Sequence, residues 1–240
     1  MGAGKIMSTE SLQSKEFLAY LDEWQQNLEA KPISALAPEP HRASIVVVDM
    51  SEGFCHFGPL ASSRVEAIID PITALLKKAW KHGIHNILLA QDCHEPDAVE
   101  FGAFPPHCVI GTPEAETVAE IQQLPFFDRM DLITKNTLSS DINTGLHAWI
   151  ASHPDIDTFI IVGDCTDLCI YQLAMYLQLD ANARRLQRRV IVPAASVATY
   201  DRPVSAAREQ GGFPHGGDLL NLVFLYHLAL NGIEVIGRVG

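Results

Sequence analysis

The octapeptide GDCTDLCI, Gly163 to Ile170, sets Cys165 and Cys169 four residues apart, between the apolar run TFIIV and a segment of helical character. Three kinds of chemistry are open to such a pair: a disulfide, two ligands for one metal ion, or a single reactive thiol at a helix start. Five cysteines are an odd number, and the stretch MGAGKIMSTESLQSKEF has no signal-like apolar core. Reduced thiols in a cytoplasmic protein are therefore expected, and the disulfide loses weight. With Thr166 as N-cap, Cys169 falls at N3, where unpaired N–H groups and the positive helix end favour a thiolate. A second candidate is Asp92-x-His94. Alternate residues of an extended segment point the same way, so this pair can offer a carboxylate oxygen and an imidazole nitrogen to one ion. A closed structural zinc site of Cys93, His94, His107 and Cys108 competes with it, but adjacent residues diverge in direction and the spacing is not a zinc finger's.

What must position these groups is a regular alternation of strands and helices. SIVVVDM, from Ser44, is a β-branched run of the kind buried on both faces of a parallel sheet. Val65, Ile68, Ile69, Ile72, Leu75, Leu76 and Ala79 mark a helix bent at Pro71 and ended by Gly83. HNILLAQD, DLITK, TFIIVGD, RRVIVPAAS and IEVIGRV read as further strands. Between them lie a helix with Leu146, Trp149 and Ile150, a long helix to about Arg185, and a last helix after a Gly-rich loop. Right-handed crossovers then give a doubly wound, Rossmann-like α/β domain, its parallel sheet covered by helices on both faces. Ligands of such sheets bind at the carboxyl ends of the strands. Those ends carry Asp49, then Asp92 and His94, then Lys135, then Asp164 to Cys169. Asp49 could take the thiol proton and return it to a departing amine, Lys135 could hold the sulfur as an anion, and backbone N–H groups of Cys165 and Cys169 could stabilise an oxyanion.

Upstream, residues 9–31 read as an amphipathic helix through Phe17, Leu21, Trp24 and Leu28, followed by the proline-rich connector KPISALAPEPHR. The expected division is a helical appendage and connector, 1–42, and the α/β domain, 43–240; the helix is expected to pack on the core or on a second subunit. The composition of the 240 residues, 48% hydrophobic with a net charge of −12, excludes a disordered chain. The arginines form no basic stripe, so no nucleic-acid partner is expected. No apolar run reaches the roughly 18 residues of a membrane span, so no membrane partner is expected.

VVVDMSEGFC, the lysine segment KNTLSSDINTGLHAWI and GDCTDLCI together resemble the isochorismatase-like cysteine hydrolases, and within them the nicotinamidases, over about residues 43 to 200. The resemblance implies an Asp-Lys-Cys triad of Asp49, Lys135 and Cys169, with Cys165 a bystander in the turn and a cis peptide from Asp164 to Cys165. It also implies a divalent ion, commonly zinc, on Asp92, His94 and His107; one oxygen and two nitrogens suit manganese or iron as well, and Glu100, seven residues before His107, is a further candidate ligand. Phe54 and either Phe101 or Phe104 would sandwich the substrate ring. The activity implied is hydrolysis of nicotinamide to nicotinate and ammonia through a Cys169 thioester, in a protein that assembles as a homo-oligomer. Other amidases of the superfamily, acting on carbamoyl or ureido compounds, and a non-catalytic scaffold are the alternatives. Two departures stand out: Ser-Ser-Asp replaces the usual Ser-Ala-Phe after the lysine, and Cys93 stands where an aromatic residue is usual. His56, His82, His85, His147, His153, His215 and His227 are read as ordinary surface or packing residues.

Overall fold

The computed structural model describes residues 12–240, so residues 9–11 of the expected N-terminal helix lie outside the described residues. The central sheet is built from β1 (Ala43–Val48), β2 (Asn86–Asp92), β3 (Asp131–Lys135), β4 (Thr158–Asp164), β5 (Arg189–Pro193) and β6 (Glu234–Ile236). Their order is β3-β2-β1-β4-β5-β6, and every pairing is parallel. Every residue of β1 and of β4 is buried, as unbroken β-branched runs require of strands covered on both sides.

The two-residue period of the strands sorts their side chains between two cores. Ile45, Val47, Leu89, Ile160 and Val162 face one side with Ile72, Leu76 and Ala79 of the helix Ile69–His82. Val46, Val48, Leu88 and Ile161 face the other, against Leu146, Leu173, Leu177, Leu225 and Leu228. Helices α1 (Leu12–Gln26), α2 (Ile69–His82), α3 (Leu146–Ser152), α4 (Cys169–Arg184), α5 (Val204–Gln210) and α6 (Gly217–Leu230) complete a doubly wound α/β fold.

Two expectations about elements are corrected. The helix expected to bend at Pro71 is instead broken before it: a turn at Ser63–Glu66 precedes α2, and Pro71 sits in the first turn of α2, where its missing N–H costs nothing. Gly83 does end α2, at φ 107°, a left-handed conformation that glycine adopts without strain. The N-terminal helix stops at Gln26 rather than 31, and Ala30–Lys31 pairs in parallel with Arg238–Val239. The connector is not free of the core, because Ile33, Leu36 and Ala37 are buried in it. Leu21 is buried, and Phe17, Tyr20 and Trp24 cluster around Tyr226 of α6, so α1 lies against its own chain. None of the described helices is long and apolar enough to cross a membrane.

Candidate active site

Strand order reverses between β1 and β4, and the crevice beyond their carboxyl ends is where such sheets bind ligands. Asp49 follows β1 in a left-handed conformation, φ 53°, with its N–H donated to Ala90 O at 2.9 Å. Strain of this kind is characteristic of functional positions. On the neighbouring strand Gly163, φ 119°, lies so close to Val48 that a Cβ would sit 2.0 Å from the Val48 carbonyl oxygen. Only glycine lets β4 run beside β1 up to the turn that bears the thiol.

Lys135 ends β3 opposite Asp92 of β2. Its Nζ lies 2.8 Å from Asp49 Oδ2 and 2.5 Å from Asp92 Oδ1, and donates to Cys169 Sγ at 3.6 Å. Asp49 Oδ1 accepts the Asp92 N–H at 2.8 Å, so backbone and side chain both join the two acids. All four side chains are almost wholly buried. One buried cation among two buried carboxylates and a thiol sets the electrostatics. Burial opposes the charge on Lys135, but Asp49 and Asp92 outweigh it and hold the ammonium well above its ordinary range. Asp92 is pushed up by burial and pulled down further by Lys135 and the two histidines, so it stays ionised. Asp49 is raised to about 6, by burial first and the Asp92 charge second, with Lys135 opposing.

Two expectations about the thiol are corrected. Leu168, not Thr166, occupies the N-cap, so Cys169 is the first helical residue rather than the third. The Thr166 N–H donates to Ala198 O, and the Cys165 carbonyl accepts from Leu168 N at 3.1 Å and Ile170 N at 3.0 Å, closing the turn. Nor does the helix end alone set the charge on sulfur: burial, with the Asp49 and Asp92 charges, pushes the Cys169 thiol well up, and Lys135 offsets only part of this. The peptide from Asp164 to Cys165 is cis, and all five cysteines are free.

Asp92, His94 and His107 bring one oxygen and two nitrogens within 4.8 Å of one another. Asn136 Oδ1 accepts the backbone N–H of Glu95 at 3.1 Å and lies 3.1 Å from His94 Nδ1. A backbone N–H only donates, so that Asn136 atom is the oxygen and His94 Nδ1 carries the hydrogen. The lone pair of Nε2 is thereby turned inward; this atom is buried, without a hydrogen-bond partner, 3.5 Å from Asp92 Oδ1. His107 repeats the arrangement, with Nδ1 2.8 Å from Pro105 O and Nε2 3.6 Å from Asp92 Oδ2. Two imidazole Nε2 atoms directed at one carboxylate, each able to present its lone pair when unprotonated, are a donor set that fits a divalent metal ion.

The closed zinc alternative does not form, because the Cys108 sulfur turns to Ser51 Oγ at 3.6 Å and Glu114 O at 3.4 Å. Glu100 stands outside the group of three: its Oε2 accepts from Thr137 Oγ1 at 2.6 Å and Leu138 N at 3.2 Å, while its Oε1 is buried without a hydrogen-bond partner.

A cavity opens onto Cys169, walled by Phe54, Phe104, Leu138, Leu168 and Tyr200, with Asp92, His107 and Cys165 also on its surface. Phe54 and Phe104 stand where the resemblance placed ring-binding aromatics. Phe101 does not; it packs edge-on against His94 and His107, with centroids 5.3 and 5.8 Å away, and backs these two rings. Tyr200 and Leu168 escaped the sequence reading. Tyr200 follows the two-residue strand Val197–Ala198, which pairs with Gly163–Asp164 and is too short to leave a periodic signal.

Residues 43–207 match the family described as the isochorismatase domain. Nicotinamidase 1 of Arabidopsis thaliana is 28% identical over 210 residues, which cover 81% of this chain and 85% of that protein. Among solved structures, a cysteine hydrolase from Pseudomonas syringae pv. phaseolicola superposes with a TM-score of 0.67 at 22% identity, covering 87% of this chain and 92% of that one. A pyrazinamidase of Pyrococcus horikoshii in complex with zinc superposes with a TM-score of 0.63 at 21% identity, covering 81% and 98%. Sheet order, strand-end residues and a match over most of the chain agree: the chain belongs to the isochorismatase domain family.

Proposed function

We propose that the protein is an amidohydrolase of the nicotinamidase type, which hydrolyses nicotinamide to nicotinate and ammonia through a thioester on Cys169. The observation that carries this reading is the reach of one ammonium, Lys135, to Asp49, Asp92 and Cys169 at the floor of an aromatic cavity. Likeness to a plant nicotinamidase and to a zinc-bound pyrazinamidase supports it.

In this mechanism Cys169 rests as a thiol beside an ionised Asp49. As the sulfur attacks the carboxamide carbon, its proton passes to Asp49 and the carbonyl electrons move to oxygen, where the N–H groups of Cys165 and Cys169 stabilise the oxyanion. Lys135 balances the negative charge that sulfur carries on the way. Collapse breaks the C–N bond, and Asp49 returns its proton to the leaving amine, releasing ammonia. Water then adds to the thioester with Asp49 again taking a proton, the C–S bond breaks, and the proton returns to sulfur as the acid departs. Phe54 and Phe104 hold the ring in the cavity. Asp92, His94 and His107 would hold a divalent ion, zinc in this reading and manganese or iron also suited, which would supply Lewis acidity for a ring nitrogen.

Ammonia release from nicotinamide by zinc-loaded protein, with Cys169→Ala as control, tests the proposal. Turnover by the native protein and none by the variant is expected. Release only from carbamoyl or ureido compounds would move the assignment to another amidase, and no release from any small amide would favour a scaffold.

A further inference from the structure

His215 lies beyond residues 43–207, the stretch that carries the family match, yet its side chain reaches back to the turn that bears the thiol. Its ring stacks on Tyr200 with centroids 3.8 Å apart and planes 16° from parallel. Nδ1 lies 2.9 Å from Tyr200 O, and Nε2 lies 2.8 Å from Asp167 Oδ2. Asp167, two residues before Cys169, uses its other oxygen to accept Thr199 Oγ1 at 2.5 Å. The backbones of His215 and Arg202 exchange hydrogen bonds at 2.9 and 2.7 Å, and Asp201 Oδ1 accepts the Gly217 N–H at 2.8 Å, so the segment is pinned at its base. Both side chains of this contact are largely buried, His215 11% and Asp167 5% exposed. One imidazole thus fastens a wall of the cavity, Tyr200, to the turn that presents the sulfur.

We propose that His215 is a positioning residue: it fixes Tyr200 as the surface against which the ring of a planar aromatic amide lies, and holds that surface in register with Cys169. The inference rests on the amidase reading of the site and adds to it a residue outside the matched segment. Three features would not coincide for a loop that merely closes over the surface: a stacked ring, a ring nitrogen on a carboxylate of the nucleophile turn, and a stack partner that lines the cavity. The role is selective. It bears on amides that carry a ring and leaves the reactivity of the carboxamide itself to Asp49, Lys135 and Cys169.

Two readouts on His215→Ala test this. With nicotinamide, KM should rise about three- to tenfold, the scale of one aromatic contact, while kcat changes little. A small aliphatic amide should show no such rise. Cys169, 4% exposed in the native protein, should be alkylated faster by iodoacetamide, followed peptide by peptide in a mass spectrometer. His215→Phe, which keeps a ring but neither hydrogen bond, should recover part of the KM. Asp167→Asn, which weakens the same tie from the other end, should move both readouts in the same direction and serves if His215→Ala fails to fold. Native KM and native alkylation rate in the variants, with only a lowered melting temperature, would overturn the proposal. Should the native protein hydrolyse no amide, the proposed function falls, and the alkylation comparison still decides whether His215 holds the wall.

Discussion

Asn136 stands one residue beyond Lys135 at the end of β3 and holds His94 through its side-chain oxygen, while Lys135 holds Asp92. Two consecutive residues thereby orient two of the three candidate ligands. Replacing Asn136 with Ala frees the His94 ring to turn and to move its hydrogen to Nε2, and zinc binding should weaken by about 10- to 100-fold. Competition against a chromophoric chelator measures this without any substrate, and Asn136→Asp, which keeps the acceptor, should retain affinity; equal affinity in Asn136→Ala would refute the role. At this scale much was legible in the sequence. Asp49, Lys135, Cys169, Asp92 and His94 could be found because each ends or follows an apolar run. The upward pull of burial on the thiol could not. A helix end contributes about 0.3–1 kcal/mol, less than one pKa unit, whereas full burial shifts a group by up to about 3–5 units. Burial depth is a property of the assembled site, which the local motif does not contain.

Between elements the decisive contact is that of β4 with β1. Gly163 has no room for a side chain against the Val48 carbonyl, and its φ of 119° is one that other residues adopt only with strain. Gly163→Ala should therefore cost about 3 kcal/mol or more, adding backbone strain to overlap, and lower the melting temperature by roughly 6–12 °C in a domain of this size. A native melting curve for this variant would show that β4 can shift without penalty. Long elements were legible because their apolar period persists over many residues. Val197–Ala198 and Ala30–Lys31 were not, since a two-residue strand has no period and is fixed by its partner alone. The break before Pro71 was also missed, because the apolar spacing continues across it from Val65 to Ala79.

For the whole molecule, residues 12–42 prove less separable than their prolines suggest. Leu36 is fully buried in the same core as Ile72 and Ile45, and Leu36→Ala should destabilise the protein by about 2–5 kcal/mol, measured by chemical denaturation. A loss below about 0.5 kcal/mol, the range of ordinary surface changes, would mean that the connector is only lightly held. Its sequence, KPISALAPEPHR, reads as a linker because proline disrupts periodicity, while its burial is set by distant contacts such as the strand at Arg238–Val239. The reversal of strand order has a last consequence. Acid, imidazoles, ammonium and sulfur are contributed by stretches far apart in the polypeptide, so no excised piece inherits them together. A remnant cut before β4 would still possess Asp49, Asp92 and Lys135 and have nothing for them to activate. Competence here arrives all at once, when the last of the inner strands slots into place.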